Sequence, residues 1–313
     1  MGLSADGRKE FDRDRGAASM ASQEREGYVR VRGKRLFYRS YGSGERGTVL
    51  ALHGGPGLTH DYLTPLADLA VSGYRVVLYD QLGCGRSERP DGYRDYTIRR
   101  GADDADELRR RLKLGRVHLL GHSYGGALAL ETALRHPEGL RSLIVSSGFA
   151  SMDTLWRGLR QRVAQLSPAN RRAYLRADRS GVQTKASARA DEEFRLRFSE
   201  HLKNQPYELW KTFQLANPRI SAAMGFSAKR IIDDGFRNGT LAGWDVTPKL
   251  SRLRMPTLVL AGEYDHCVPA CAREIHRAIR RSRLVIAPGE GHMPMFENRD
   301  RFTSVVRDFL DSV

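Results

Sequence analysis

Arg116-Val117-His118-Leu119-Leu120-Gly121-His122-Ser123-Tyr124-Gly125-Gly126-Ala127-Leu128-Ala129-Leu130 is the stretch on which the reading of this chain turns. An apolar strand runs into a glycine-framed serine and then into a helix rich in alanine and leucine, the strand-turn-helix context of a nucleophile elbow. The serine must sit on a turn so sharp that its hydroxyl projects above the sheet. Gly121 and Gly125, two positions before and two after, therefore have room for almost no side chain. The following helix brings its positive dipole end and a backbone N–H beside any oxyanion formed at Ser123. Taken alone, the same stretch is also a plain glycine turn between a strand and a helix, so its surroundings have to decide.

Working outward, Tyr28–Val31 and Arg35–Arg39 alternate in character around Gly33-Lys34, the pattern of an edge hairpin. Thr48–Leu52 is a buried strand that ends in His53-Gly54-Gly55-Pro56-Gly57; a helix is expected over Asp61–Val71 and a second buried strand over Tyr74–Tyr79. That strand ends in Asp80-Gln81-Leu82-Gly83-Cys84-Gly85-Arg86-Ser87, and Thr97–Leu114 carries apolar residues at helical spacing up to the elbow strand. After a further strand over Leu140–Val145 the rhythm changes. From about Gly148 to Leu250 the chain is helical and arginine-rich, punctuated by Pro168, Pro206 and Pro218, with no convincing buried strand. Strand and helix then alternate again through Pro256–Ala261, Ala270–Arg281, Arg283–Ala287 and Phe302–Leu310.

This order predicts an α/β protein, a mostly parallel sheet with helices on both faces and active residues in loops at the carboxyl ends of the strands. The predicted division is a disordered tail over 1–26, a core over 27–147 and 251–313, and an inserted helical cap over 148–250.

Three loops carry a complete hydrolytic set. Ser123 follows one strand, Asp265 in Gly262-Glu263-Tyr264-Asp265 follows the first strand after the cap, and His292 in Gly291-His292-Met293-Pro294 follows the last. The order Ser, Asp, His is that of the α/β-hydrolase fold. A serine hydroxyl is a poor nucleophile until an imidazole takes its proton, and the imidazole needs a carboxylate to fix its tautomer. His118 lies in a strand, His136 ends a helix and His122 flanks the elbow, which leaves His292 as the base. Glu263 competes with Asp265 for the acid, but it sits closer to the strand end, where it is better placed to brace loop backbone.

Composition narrows the alternatives. The 313 residues hold 52 Lys and Arg against 37 Asp and Glu, a formal charge of +15, yet the arginines are scattered and no basic run is interleaved with aromatics. A solvated basic surface is expected rather than a nucleic-acid site. No run approaches the ~20 apolar residues of a membrane span. Cys84, Cys267 and Cys271 are too few for a disulfide framework, no secretory signal precedes the fold, and a reducing cytoplasm is expected. His266 with Cys267 and Cys271 invites a metal reading, but no second ligand cluster accompanies it, and neither metal nor cofactor is expected. Asp6 stands where a myristoylation signal wants Ser or Thr, and Met20 offers a second start.

With these residues in view, a resemblance emerges. His53–Gly57, Asp80–Ser87 and Gly121–Gly126 together resemble the proline iminopeptidase family of α/β-hydrolases, a likeness that continues through Gly239-Thr240-Leu241-Ala242-Gly243-Trp244-Asp245-Val246-Thr247 and is shared with related amino-acid amidases. The resemblance implies that the His53–Gly57 loop turns a backbone N–H toward the substrate, so that Gly55 and Tyr124 form the oxyanion hole. A bracing role is expected for Asp80–Ser87. The resemblance also implies acidic residues that hold a substrate α-amine. Directly after the triad aspartate this chain has His266. Counting back from Trp244 places Asp234, with Asp233 beside it, at the second acidic position, whereas counting forward from Pro218 places a non-acidic residue there.

The cap carries 18 Lys and Arg against 10 Asp and Glu over residues 151–250, a balance that does not steer a cation toward it. The reading at this stage is a serine hydrolase cleaving the amide or peptide bond after an amino-terminal residue of a small peptide or amide, through an acyl-enzyme. An amino-acid amidase or small-metabolite esterase is the enzymatic alternative, and a non-catalytic binding protein on the same fold is the alternative of another class.

Overall fold

The computed structural model describes residues 24–90, 92, 95–180, 184–198, 206–225 and 238–313, within which the short apolar runs form one eight-stranded sheet. β1 (Arg25–Val31) and β2 (Lys34–Tyr41) make the edge hairpin. Its turn is Arg32-Gly33, with φ of 49° and 82°, the positive-φ geometry that matches strand twist. The turn lies one residue earlier than the expected Gly33-Lys34, because Lys34 pairs with Val31. Arg25 and Glu26, assigned by composition to the tail, belong to β1, where the Glu26 carboxylate meets the Arg39 guanidinium at 2.7 Å. Cross-strand pairing recruits these polar residues in a way that composition does not register. The rest of the expected tail, residues 1–23, lies outside the described residues.

The remaining strands are β3 (Thr48–Leu52), β4 (Arg75–Tyr79), β5 (Val117–His122), β6 (Leu140–Ser146), β7 (Thr257–Gly262) and β8 (Ser282–Ala287). In space they run β1-β2-β4-β3-β5-β6-β7-β8, antiparallel as far as β4 and parallel from there on. Between β3 and β4 the expected helix forms as a 3-10 stretch, His60–Ser72, which contains Pro65 and is capped by Thr59 and by Gly73 at φ 84°. A proline in an α-helix interior would remove one donor and crowd the preceding turn. Helices α1 (Ile98–Arg111) and α2 (Tyr124–Arg135) flank β5 in sequence.

Between β6 and β7 the described residues form α3 (Met152–Ala164), α4 (Pro168–Ser180), α5 (Lys185–Phe198), α6 (Tyr207–Gln214) and α7 (Pro218–Met224). The two ends of this excursion are stitched together. Met152 N–H donates to Trp244 O at 3.0 Å and Val246 N–H to Ala150 O at 2.9 Å, around an antiparallel bridge of Ser151 with Asp245. After β7 come α8 (Pro269–Ala278), α9 (Pro294–Glu297) and α10 (Arg299–Asp311).

The sheet separates two apolar cores. One packs α1, α2 and α8 through residues such as Leu108, Leu128 and Ile275; the other packs the 3-10 helix and α10 through Tyr62, Leu66, Val306 and Phe309. Covered on both faces, β3 to β7 read as continuous apolar runs rather than alternating ones.

Several imidazoles are buried in this framework. His118 in β5 bonds Ser142 Oγ at 2.8 Å. Burial holds His53 and His118 down to about 4 and His122 to about 3, from an ordinary 6.5. Below pH 6.5 the unfolded chain therefore takes up protons that the native state refuses, so stability present at neutral pH is lost as pH falls toward 4. Urea midpoints measured from neutral pH downward are expected to fall across that window, and His118→Gln to flatten part of the slope. A midpoint that stays constant would mean that the native state accepts the same protons.

Candidate active site

Ser123 occupies the junction between β5 and α2 with φ 58° and ψ −126°, a conformation that a non-glycine residue holds only under constraint. Its N–H donates to Ser146 O at 2.9 Å, and its own carbonyl accepts from Gly126 N–H at 2.8 Å. The glycines expected on either side are required by space. A Cβ on Gly121 would stand 2.0 Å from Gly125 O, and one on Gly125 would stand 2.1 Å from Leu52 O. These contacts press the elbow against β3 and leave the Ser123 side chain partly exposed at the end of the sheet.

Asp265 is fully buried, and its Oδ1 lies 2.7 Å from His292 Nδ1 and 2.7 Å from Cys267 N–H. Taken as ionised, the carboxylate can only accept here, so His292 carries its proton on Nδ1 and leaves Nε2 with a bare lone pair. Burial pulls the His292 imidazole down to about 3, which keeps it neutral and able to accept a proton, and burial also pushes the Asp265 carboxyl upward.

The loop around His292 is gripped by a residue that the sequence reading did not single out. Glu297 of α9 accepts from Gly291 N–H at 2.5 Å and from Met293 N–H at 2.8 Å, a carboxylate reaching back to the start of its own helix. Glu263 braces backbone, accepting from Gly289 N–H at 3.0 Å. Arg162 of α3 was missed as well. Its guanidinium donates to Asp265 O at 3.1 Å and Glu263 O at 2.8 Å and lies over the Phe198 ring at 5.0 Å. The sequence carries no local signal for this contact, because its partners are 103 and 101 residues away.

On the opposite side, Gly55 has φ 120° and precedes a cis bond to Pro56. The peptide unit that carries the Gly55 N–H is aimed through its other end: His53 Nδ1 lies 3.0 Å from Gly54 O. The tautomer follows from His53 Nε2, which accepts Gln81 N–H at 3.0 Å and so leaves the proton on Nδ1. Gln81 Nε2 also donates to His53 O at 2.7 Å. Gln81 is anchored in turn by its neighbour Asp80, which takes His60 N–H at 3.0 Å, His60 Nδ1–H at 2.8 Å and Arg86 N–H at 2.9 Å. Neither the Gly55 nor the Tyr124 amide has a hydrogen-bond acceptor among the described residues. Tyr124 N–H belongs to the first turn of α2, where the helix dipole favours negative charge.

Asp234 and Asp233 lie outside the described residues. His266 is placed against His292: their ring centroids are 3.8 Å apart with planes at 33°, and the Phe194 ring of α5 lies 6.3 Å from that of His266. Burial, with His292 beside it, lowers His266 to about 3, so it is a neutral wall rather than a charge. Ligand atoms of Asp265, His266, Cys267 and His292 all fall within 4.8 Å of one another. They do not suit a metal, because Asp265 and His292 already bond each other and the two imidazole planes overlie instead of converging their in-plane lone pairs. Ile220 and Met224 of α7 line a small cavity together with Leu82 and Tyr124.

The profile of the α/β-hydrolase fold matches residues 47–299. Proline iminopeptidase of Saccharolobus solfataricus is 38% identical over 92% of this chain and 93% of its own, and that of Thermoplasma volcanium is 32% identical over 91% and 96%. Among solved structures, VinJ superposes with a TM-score of 0.86 at 30% identity, and the proline iminopeptidase of Mycobacterium smegmatis with 0.84 at 28%, each covering 92% of this chain and 98% of the other. With nearly full-length matches in both directions and Ser123, Asp265 and His292 in loops at strand ends in the chain order of that fold, the chain belongs to the proline iminopeptidase family of α/β-hydrolases.

Proposed function

We propose that the protein is a serine aminopeptidase that releases an amino-terminal residue from a small peptide or amide, with Ser123, His292 and Asp265 as its triad. The observation that carries this reading is the 2.7 Å bond from His292 Nδ1 to Asp265, which leaves Nε2 bare in a loop beside the Ser123 elbow. Ser123 Oγ attacks the carbonyl carbon while His292 Nε2 takes the hydroxyl proton, and the oxyanion is received by the Gly55 and Tyr124 amides. The C–N bond breaks as His292 returns that proton to the departing amine. Water then attacks the acyl ester, giving a proton to the same nitrogen; the bond between the acyl carbon and Ser123 Oγ breaks, Oγ takes that proton back, and the acyl group leaves as the free acid. Helices α3 to α7 act as the cap over this end of the sheet, and Arg162 ties the cap to the acid loop. Three buried free thiols suit a reducing compartment.

A second reading within the enzymes, an amidase or esterase for acyl groups without a free amine, draws on His266. At the position where the family resemblance implies an acid, this chain presents a neutral ring.

A fluorophosphonate is expected to label Ser123, and Ser123→Ala to abolish both labelling and turnover without loss of fold. Label elsewhere, or an active alanine variant, would refute the mechanism. For specificity, prolyl or alanyl arylamides with a free amine are expected to be cleaved on the order of a hundredfold better than their N-acetylated forms, because an ammonium paired with a buried carboxylate loses that partner on acetylation. Asp234→Asn is expected to raise KM and shrink the ratio. Equal cleavage of both forms would instead favour the amidase or esterase reading. EDTA is expected to leave turnover unchanged, and inactivation that zinc reverses would return the Asp265, His266, Cys267 and His292 cluster to consideration as a metal centre.

A further inference from the structure

Two fully buried side chains that the mechanism above does not use, Tyr62 and His122, lie between the oxyanion loop and the base loop. His122 Nε2 is 2.7 Å from His292 O, and His122 Nδ1 is 2.9 Å from Tyr62 OH. Tyr62 OH in turn accepts Gly54 N–H at 2.6 Å. A carbonyl oxygen can only accept, so the His122 proton sits on Nε2. The neutral ring then accepts at Nδ1, and Tyr62 must donate its O–H there while taking the Gly54 proton on a lone pair. Every proton in the chain Gly54 N–H, Tyr62 O–H, His122 Nε2–H, His292 C=O therefore points the same way. No alternative arrangement satisfies all four groups, and leaving one of them unpaired in the core would be costly.

The two ends of this chain matter. Gly54 N–H and the Gly55 N–H that receives the oxyanion are consecutive amides, and Gly54 O is held by His53. The carbonyl at the other end belongs to the base itself. We propose that Tyr62 and His122 are positioning residues for the hydrolysis, a one-directional hydrogen-bond chain that sets the oxyanion loop and the catalytic base at a fixed separation across the nucleophile. The proposal rests on the serine hydrolase reading. It adds a role for the residue immediately before the nucleophile, whose ring also packs at 4.8 Å from that of His292 and edge-on to Tyr62 at 5.3 Å. Plain core packing would use the same rings for their volume alone, and the two roles differ in what removal of single polar atoms does.

Four variants separate them: Tyr62→Phe, which deletes one oxygen; His122→Leu, which removes both nitrogens; His122→Gln, whose amide N–H can still donate to His292 O; and the double variant Tyr62→Phe with His122→Leu. For each, kcat and KM on an arylamide and an ester, the rate of fluorophosphonate labelling at Ser123, and Tm are measured at a temperature where all are folded. Tyr62→Phe and His122→Leu are each expected to lower kcat and the labelling rate about tenfold with KM nearly unchanged. The double variant is expected to be little slower than the slower single one, because both cut one chain. His122→Gln is expected to recover most of the rate. If Tm falls while kcat and labelling stay within about twofold of wild type, or if the two losses simply multiply, the proposal is overturned and the rings are packing alone. A wild-type protein that takes no label and cleaves neither substrate would remove the hydrolase reading, and the positioning role with it. A labelled, active wild type with unaffected variants removes only the positioning role.

Discussion

The structure depends on a close approach of backbone to backbone at the end of the sheet, where Gly125 of α2 meets the carbonyl of Leu52 in β3 and Gly121 faces Gly125 across the elbow. Because no Cβ fits at either position, the helix can start directly beneath Ser123 and hold it at φ 58°. The His53–Gly57 loop, which grows out of β3, is brought alongside by the same contact. A Cβ on Gly54 would stand 2.9 Å from that of Ser123, so the loop can come this near only with glycine there. The parallel order of the strands does the rest. It gathers the carboxyl ends of β3, β4, β5, β7 and β8, and every loop of the site leaves from one of them.

Around this contact the chemistry is organised by tautomers. His292 holds its proton on Nδ1 because Asp265 can only accept, and His53 does the same because Gln81 N–H can only donate to its Nε2. His122 takes the opposite tautomer because it faces a carbonyl oxygen at Nε2. All three rings are buried, and burial holds each well below the ordinary imidazole value, so each stays neutral and directional. A neutral imidazole has one donor and one acceptor, and so transmits a definite polarity from one loop to the next. An imidazolium, with two donors, would break each of these chains at its accepting nitrogen.

The helical excursion between β6 and β7 is tied to this arrangement at several points. Arg162 holds the backbone of the acid loop, and Asn217 N–H donates to Gly57 O at 2.7 Å while its side chain donates to Gly83 O at 2.9 Å. Thr212 joins Thr59, and Lys211 pairs with Asp61, at the start of the 3-10 helix. These contacts join the excursion to the loops of Asp265, Gly57 and Gly83, so that motion of its helices would be felt at backbone groups of the candidate site. Among the described residues of this segment Arg162 is buried, and its guanidinium serves carbonyls and an aromatic ring.

Much of this was written locally. The elbow, the apolar strands, the order Ser123, Asp265, His292 and the bracing role of Glu263 can be read from short stretches, because strand periodicity, glycine spacing and loop position are properties of neighbouring residues. Small departures, such as the hairpin turn at Arg32-Gly33 and the inclusion of Arg25 and Glu26 in β1, occur where cross-strand pairing overrides composition. What the sequence did not disclose is which distant groups complete the site. Arg162 on the Asp265 loop and Tyr62 with His122 between the His292 and Gly55 loops have partners set by packing of separate elements, whereas Glu297 grips Gly291 and Met293 only six and four residues away. The direction of each proton follows from those partners, so the residue types in the site were determined by the sequence alone, while their tautomers and mutual orientation were decided only when the sheet brought the loops together.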